Sequence, residues 1–186
     1  MKHAFLAIFA LAAALATAAD LKIGTVEMMA LVRNHPSYDL NRSLLSDTEK
    51  DYQKKLDRMR AELDEIQAEG KELADQSKNP MLADAAKTKL ENDLVDVQNR
   101  YIQAQQKLRN EAMRSQQEMQ DLEAKLLKAT TDDLRKKINA FASQNGYDFI
   151  FDSSATPYFR ECYDVTDAVL KSMGVEKRRE DDDEGK

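Results

Sequence analysis

The sequence predicts a mainly α-helical protein with a small β body, from which a long antiparallel coiled-coil hairpin projects as an arm. Three observations support this fold class. Charged residues make up 33% and aromatic residues 6% of the 186 residues, a composition typical of solvated helices rather than of a wide globular core. Two long stretches repeat apolar residues at alternating intervals of three and four. Strand-like segments occur only near the two ends of the chain.

Residues 1–19 are predicted to be a secretory signal peptide. Lys2 and His3 precede an apolar run over residues 4–15, which at about twelve residues is short of the about 20 that a membrane-spanning helix needs. The small residues of Ala16-Thr17-Ala18 follow it, and they predict cleavage after Ala18 or Ala19. A buried N-terminal helix is the alternative. We therefore expect a soluble protein exported to the periplasm.

Composition argues against enzymes and nucleic-acid binding. The formal charge is 28 − 34 = −6, and −7 once Lys2 is removed, which disfavours a basic nucleic-acid footprint. The single cysteine, Cys162, excludes a disulfide framework or a cysteine zinc cluster within one chain. His35 is the one histidine left after cleavage, and no glycine-rich phosphate loop is present. We expect no catalytic residue, no cofactor and no metal site.

The predicted body comes from both ends of the chain. The β-branched alternation of 21–26 indicates a strand, and 27–34 indicates a short helix that ends before a proline. Near the other end, 147–151 and about 158–162 read as two strands. A short amphipathic helix then begins near Asp164 and closes at Gly174.

The first arm helix is predicted between Asp39 and Gln76, which contain no proline and only one glycine. Its apolar residues are spaced 4, 3, 4, 3 and so define a coiled-coil seam, the line along which two helices pack. Gly70 lies in that seam and costs about 1 kcal/mol relative to alanine, so looser packing is expected there. The seam of this helix consists of Tyr52, Leu56, Met59, Leu63, Ile66, Gly70 and Leu73.

The second arm helix is predicted over 81–145, after a break at 77–80. Asn79 suits the helix N-cap and Pro80 the first helical position, and Asn145-Gly146 should end the helix. Two long helices joined by about four residues must run antiparallel. The seam of the second helix includes Leu90, Leu94, Val97, Tyr101, Ala104, Leu108, Ala112, Ser115, Met119, Leu122, Leu126 and Ala129, with a stutter at Ala104-Leu108-Ala112.

The body is too small to be stable alone. Residues 20–37 and 142–175 form it, whereas 38–141 form the arm and 176–186 a disordered acidic tail. A core of about 50 to 60 residues is marginal, although most of the mature aromatic residues fall within 141–163. Its three short strands would also leave open edges. Assembly into a homo-oligomer through the body would solve both problems.

Three segments carry a resemblance to a known family. Lys22–Met28, Tyr147–Asp152 and Asp164–Lys171 resemble the Skp/OmpH family of periplasmic chaperones. That resemblance implies a homotrimer with a small β-barrel body, whose three hairpins, or tentacles, form a cage. It also implies an ATP-independent holdase that binds unfolded outer-membrane β-barrel proteins and prevents their aggregation. The matching apolar positions, to which the resemblance assigns the oligomer interface, are Ile23, Val26, Phe149, Phe151, Val165 and Val169.

The arm carries the candidate residues for client contact. Flexible methionines suit adaptable contacts, with packing or surface filling as the alternative role; they are Met59, Met81, Met113 and Met119. Between Glu62 and Arg100 ten acidic and five basic residues give a net charge of −5, which argues against contact with lipopolysaccharide or anionic membranes. The alternative function is a non-enzymatic coiled-coil structural or adaptor protein of the cell envelope, whose hairpin docks to one fixed partner.

Overall fold

The computed structural model describes residues 21–178, so the predicted signal peptide and residues 179–186 of the predicted acidic tail lie outside the described residues. The chain is mainly helical, with two long helices and one small sheet, and this part of the predicted fold class is confirmed. The elements in order are β1 (Ile23–Val26), α1 (Met28–Arg33), α2 (Tyr38–Ser77), α3 (Asp84–Asn145), β2 (Phe149–Asp152), two 3₁₀ turns (Ser153–Ala155 and Glu161–Tyr163) and α4 (Thr166–Ser172).

The sheet joins the two ends of the chain. β1 and β2 pair in parallel, with Ile23 opposite Phe149 and Thr25 opposite Phe151. A parallel pair needs a crossover connection, and the segment from α1 to α3 provides it. Side chains alternate across a strand, so Ile23, Phe149 and Phe151 lie on one side of the sheet and Val26 lies on the other.

The predicted strand over 158–162 is absent from the described chain. A 3₁₀ turn occupies Glu161–Tyr163, and only one isolated bridge follows, between Thr25 and Asp164. The Asp164 carboxylate accepts a hydrogen bond from the Thr166 backbone N–H at 2.8 Å. This contact starts α4 immediately, and the chain therefore turns away from the sheet after one bridge.

The body core is aliphatic. Of the aromatic residues expected in it, Phe141 is buried and Tyr147 is half-buried, whereas Phe149 and Phe151 are exposed. The core also includes residues near the end of α3. These residues lie within 38–141, the range predicted to form the arm. By its packing, the last part of α3 therefore belongs to the body. The buried cluster contains Val26, Leu31, Val32, Leu134, Ile138, Phe141, Val165, Val169 and Leu170.

The helices α2 and α3, together called the arm, contact each other along their length. Lys55 contacts Glu111, and Glu69, further along α2, contacts Arg100, which is earlier in α3. With 40 and 62 residues, the two helices are about 60 and 93 Å long at about 1.5 Å per residue. No helix among residues 21–178 combines the length and apolar character needed to cross a membrane.

The connection between the arm helices differs from the prediction. The Asn79 side chain accepts a hydrogen bond from the Met81 backbone N–H at 3.0 Å, which forms a local turn around Pro80 rather than a helix N-cap. Ala83 is extended, and α3 begins at Asp84. The other end of α3 is as predicted, because Gly146 follows it with φ 69°.

Gly70 permits close packing of the arm rather than loosening it. A Cβ atom at this position would lie 3.2 Å from a methyl group of Val97, and Val97 is buried together with Ile66 and Ala104. The missing side chain therefore lets α2 and α3 approach closely. The expected looseness was wrong at this position.

The Gly70→Ala substitution should have different effects in two backgrounds. Alanine favours the helix by about 1 kcal/mol over glycine, but in the wild type this gain is cancelled by the contact with Val97. In a Val97→Ala background the contact is removed, and Gly70→Ala should raise the free energy of unfolding by about 1 kcal/mol. Urea unfolding followed by circular dichroism measures this coupling; equal effects in both backgrounds would contradict it.

Candidate interaction surfaces

Surfaces, rather than a reaction centre, are the candidate functional features of this chain. Among the described residues, no group of three or more His, Cys, Asp or Glu side chains is placed to hold a metal ion. Cys162 is exposed and free. His35 is buried in local contacts, with Nδ1 2.8 Å from the Ser37 hydroxyl. Exposed apolar residues lie on the sheet and on the arm.

The first surface is the outer side of the sheet, which we call the aromatic face. It consists of Ile23, Phe149 and Phe151. Phe149 and Phe151 are 50% and 48% exposed, and their rings stack with centroids 5.8 Å apart and an interplanar angle of 9°. Beside them the Thr25 hydroxyl is buried and has no hydrogen-bond partner within residues 21–178. The sheet thus presents a flat apolar surface next to an unsatisfied polar group.

The structure divides the six predicted interface residues into two sets. Val26, Val165 and Val169 are enclosed in the core of their own chain. The residues of the aromatic face remain exposed. Sequence alone could not separate the sets, because valine and phenylalanine at alternating positions are equally apolar. Only the packing of α1, α3 and α4 into one buried cluster with Val26 distinguishes them.

The second surface is the arm. Every seam residue of the predicted set except Ala129 is buried or half-buried. The buried or half-buried seam residues include Tyr52, Leu56, Met59, Leu63, Ile66, Leu90, Leu94, Val97, Tyr101 and Leu108.

Polar contacts between α2 and α3 flank the seam. Arg100 binds Glu69 through two hydrogen bonds of 3.0 and 2.8 Å, and the pKa of Glu69 is lowered because this guanidinium donates to it. The Tyr52 hydroxyl donates to Glu118 at 2.6 Å, which raises the pKa of Tyr52. The same hydrogen bond, followed by that from Arg114, lowers the pKa of Glu118. These contacts join polar and charged side chains of α2 to those of α3 beside the seam.

The four predicted client-contact methionines have different surroundings. Met81, in the connection between the arm helices, is 89% exposed, and Met113 on α3 is also exposed. Met59 and Met119 are half-buried along the seam. The prediction missed Val95, Ile102 and Leu127, which are exposed on α3. These three residues could have been identified from the sequence, because they are apolar and lie outside the three–four pattern of the seam.

A partly buried polar contact lies where the arm joins the body. His35 Nδ1 lies 3.1 Å from the Ser37 backbone N–H, from which it accepts a hydrogen bond. His35 Nε2 therefore carries the proton that is donated to Asp133 Oδ2 at 3.0 Å. Because His35 precedes α2 and Asp133 lies near the end of α3, this hydrogen bond ties the two arm helices together at the body. His35 thus has a structural role at the base of the arm.

Asp133 should contribute stability that depends on pH. The hydrogen bond from His35 lowers the pKa of Asp133, so its stabilisation is present above the unfolded pKa, about 3.9, and is lost as pH falls through the folded value. The difference in unfolding free energy between wild type and Asp133→Asn should be about 1 kcal/mol or less at neutral pH, since the carboxylate is 46% exposed.

Urea unfolding over a pH series measures this difference. It should shrink towards zero as pH falls below about 4. Asp121→Asn, at an exposed position elsewhere on α3, is the control for removing one carboxylate from this helix. A difference that grows with acidity would contradict the assigned contact.

The residues that follow α4 are also fixed to the arm base. The Arg178 guanidinium binds both carboxylate oxygens of Asp39, at 2.8 and 2.5 Å, and its backbone N–H donates to Asn34 Oδ1 at 2.6 Å. Lys177 forms an ion pair with Asp167. Charged residues at 177 and 178 therefore meet opposite charges on α4 and α2, whereas disorder of the acidic tail stays a prediction.

These features define a class of protein in which a small body carries a long helical arm. A small α/β body, with a parallel two-stranded sheet, carries two long helices that pack on each other, and the exposed apolar residues lie on surfaces rather than in an enclosed reaction site.

The sequence model of the family described as outer membrane protein (OmpH-like) matches residues 22–173. The chain therefore belongs to the Skp/OmpH family and is a periplasmic chaperone of that general type. Members of this family are chaperones rather than enzymes; they oligomerise and bind outer-membrane proteins. No curated protein sequence matches this chain.

Proposed function

We propose that this protein is an ATP-independent holdase that shelters unfolded outer-membrane β-barrel proteins in a cage of arms and prevents their aggregation. In this proposal α2 and α3 form an antiparallel hairpin, and three chains join through their bodies into a homotrimer. The exposed aromatic face is the observation that supports this proposal most strongly. Burying this face between bodies would stabilise an oligomer and so bring several arms together.

Two properties of the body support assembly. A two-stranded sheet is marginally stable by itself, and the stacked Phe149 and Phe151 leave one side of this sheet in water. The segment that contains Tyr158 is flanked by two residues with extended backbone angles, Thr156 and Arg160, although the chain bends at Pro157. We infer that this segment pairs with a neighbouring chain, which would supply the strand predicted over 158–162.

The arm supports the cage. Unfolded β-barrel proteins aggregate through exposed apolar strands with unpaired edges. An arm about 60 Å long keeps a bound chain away from other clients, and several arms in one assembly act at a high effective concentration. Many weak contacts can then hold a client without folding it.

The charge of the arm sets its partners. The net charge of −5 between Glu62 and Arg100 repels phosphate headgroups, so the arm is not a binding surface for lipopolysaccharide or anionic lipids. The acidic arm also disfavours acidic clients. Recognition must therefore use groups on the client other than negative charge.

Aggregation of a client without nucleotide tests the proposal. A urea-unfolded outer-membrane β-barrel protein is diluted into buffer with increasing amounts of the purified protein lacking residues 1–19, and light scattering is followed. We expect suppression to saturate near one trimer per client, with no change when ATP is added. Lysozyme at equal mass is the control for crowding.

Failure to suppress scattering would contradict the holdase. If the protein instead captured one envelope protein in a fixed stoichiometric complex, the adaptor function would replace it. Sedimentation of the protein alone as a single compact subunit would contradict the trimer.

A further inference from the structure

The side of α3 that faces away from α2 carries a line of exposed apolar residues. Val95, Ile102, Met113 and Leu127 are each between 46% and 58% exposed. They are 7, 11 and 14 residues apart, close to two, three and four turns of about 3.6 residues. They therefore lie along one side of the helix, which is separate from the seam.

Amide side chains fill this side between the apolar residues. With the four apolar residues they form what we call the amide stripe. Between Val95 and Leu127, Arg109 is the one charged residue that helical spacing places on this side of the described helix. This is unusual in a chain with 33% charged residues. The amide residues of the stripe, all exposed, are Asn99, Gln106, Gln117 and Gln120.

Two charged residues of α3 in this range pair with α2 instead. Arg100 is paired with Glu69, and Glu111 with Lys55 at 2.6 Å. Ion pairing within the arm thus accounts for the position of these charges. The amide stripe is a separate surface of apolar and amide side chains, with Arg109 as the one charged residue beside them.

We propose that the amide stripe is the surface of the arm that binds an extended, unfolded polypeptide, an inference that rests on the proposed holdase function. A packing helix would need apolar residues at alternating intervals of three and four, whereas the stripe has intervals of 7, 11 and 14. A membrane surface would need an excess of basic residues around the apolar ones, whereas residues 95–127 contain five acidic and five basic residues.

The chemistry of the stripe fits an unfolded chain. Such a chain has backbone N–H and C=O groups without partners, and each amide side chain can both donate to and accept from them. The apolar residues contact client side chains. Because Arg109 is the one charged residue on this side of the helix, direct contacts with the stripe depend little on the charge of the client, and the acidic segment 62–100 acts only near the outer end of the arm. Contacts of this kind are weak and exchangeable.

The dimensions of the stripe also fit. From Val95 to Leu127 it is about 48 Å long, which equals about 14 residues of extended chain and exceeds a transmembrane β-strand of about 9–11 residues. At its body end, Leu127 also lines a groove with Met29, Val32 and Leu126, whose volume is about 540 Å³. The stripe therefore leads into an apolar groove at the base of the arm.

An acidic triple variant tests the amides of the stripe. Asn99 is replaced by aspartate, and Gln106 and Gln117 by glutamate, which adds three negative charges with little change in side-chain shape. The variant should weaken binding of a fluorescently labelled, urea-unfolded outer-membrane β-barrel protein by about tenfold or more. Fluorescence anisotropy measures the dissociation constant. For the wild type this constant should change by about twofold or less between about 0.05 and 0.5 M NaCl.

A second triple variant tests the apolar residues of the stripe. Val95, Ile102 and Met113 are replaced together by glutamine, which removes apolar area at constant charge. Because these side chains are each about half exposed in the free arm, the substitutions remove apolar contact with the client rather than packing between α2 and α3. The dissociation constant for the same client should again rise by about tenfold or more.

The matched control replaces three exposed glutamines of α2, Gln53, Gln67 and Gln76, by glutamate. It adds the same charge elsewhere on the arm and should bind within about twofold of the wild type. Circular dichroism and sedimentation check that helix content and assembly are unchanged.

The outcomes separate this inference from the holdase proposal. If the wild type suppresses aggregation and both stripe variants bind as well as it does, the stripe is not the client surface. If the stripe variants change the sedimentation coefficient, the stripe is an interface between copies, and the inference is overturned. If the wild type itself binds no client, the holdase proposal fails first.

Discussion

Replacing Phe149 and Phe151 together by aspartate should abolish the proposed trimer and leave monomers. Both rings lie on the aromatic face and are half exposed in one chain. A phenylalanine side chain buries about 150–250 Å² when fully enclosed, so enclosing the exposed half of both rings contributes about 4–6 kcal/mol per chain at about 25 cal/mol per Å². Losing that contribution raises the dissociation constant by about a thousandfold or more.

Analytical ultracentrifugation over a range of protein concentrations measures this change. Helix content should persist, because neither ring belongs to the buried cluster of the body. Met81→Asp, at a position 89% exposed between the arm helices, is the control and should sediment like the wild type. A double variant that remains assembled at micromolar concentration would show that the aromatic face is not the interface.

The arm was predictable because its signals are local. The interval between apolar residues determines which side of a helix is buried, and Ile66 and Val97, at predicted seam positions, are indeed buried. The end of α3 was predictable for the same reason, since Gly146 adopts the left-handed conformation that glycine adopts without strain. Neither feature depends on residues far away in the sequence.

The body was less predictable because its structure depends on distant contacts. Strand propensity around Tyr158 was real, yet no strand forms there in the described chain, since β1 pairs with β2 and with Asp164 only. Nor could composition tell that Val169 faces the core while Phe149 faces outward. The ion pair between Arg178 and Asp39 joins residues far apart in the mature chain, which no periodic pattern reveals.

Replacing Leu134 by alanine should destabilise the body by about 2–5 kcal/mol. Leu134 is fully buried, with 0% of its surface exposed, although it belongs to α3. It packs in the same cluster as Leu31 and Val169, so it fixes the long helix to α1 and α4. The truncation leaves a cavity that a small core cannot refill, and a loss of this size is a large fraction of the about 5–15 kcal/mol that a domain has in total.

Leu127→Ala is the matched control, since it makes the same change two turns earlier on the same helix at a position 46% exposed. We expect it to cost about 1 kcal/mol or less, because a surface side chain leaves no cavity. Urea unfolding should therefore separate the two variants, and hydrogen exchange at the Leu31 amide should increase in Leu134→Ala alone. Equal destabilisation would mean that the end of α3 is held by its contact with α2 rather than by the body. The arm would then be free to pivot where it leaves the sheet, and the geometry of the cage would depend on its clients rather than on the core.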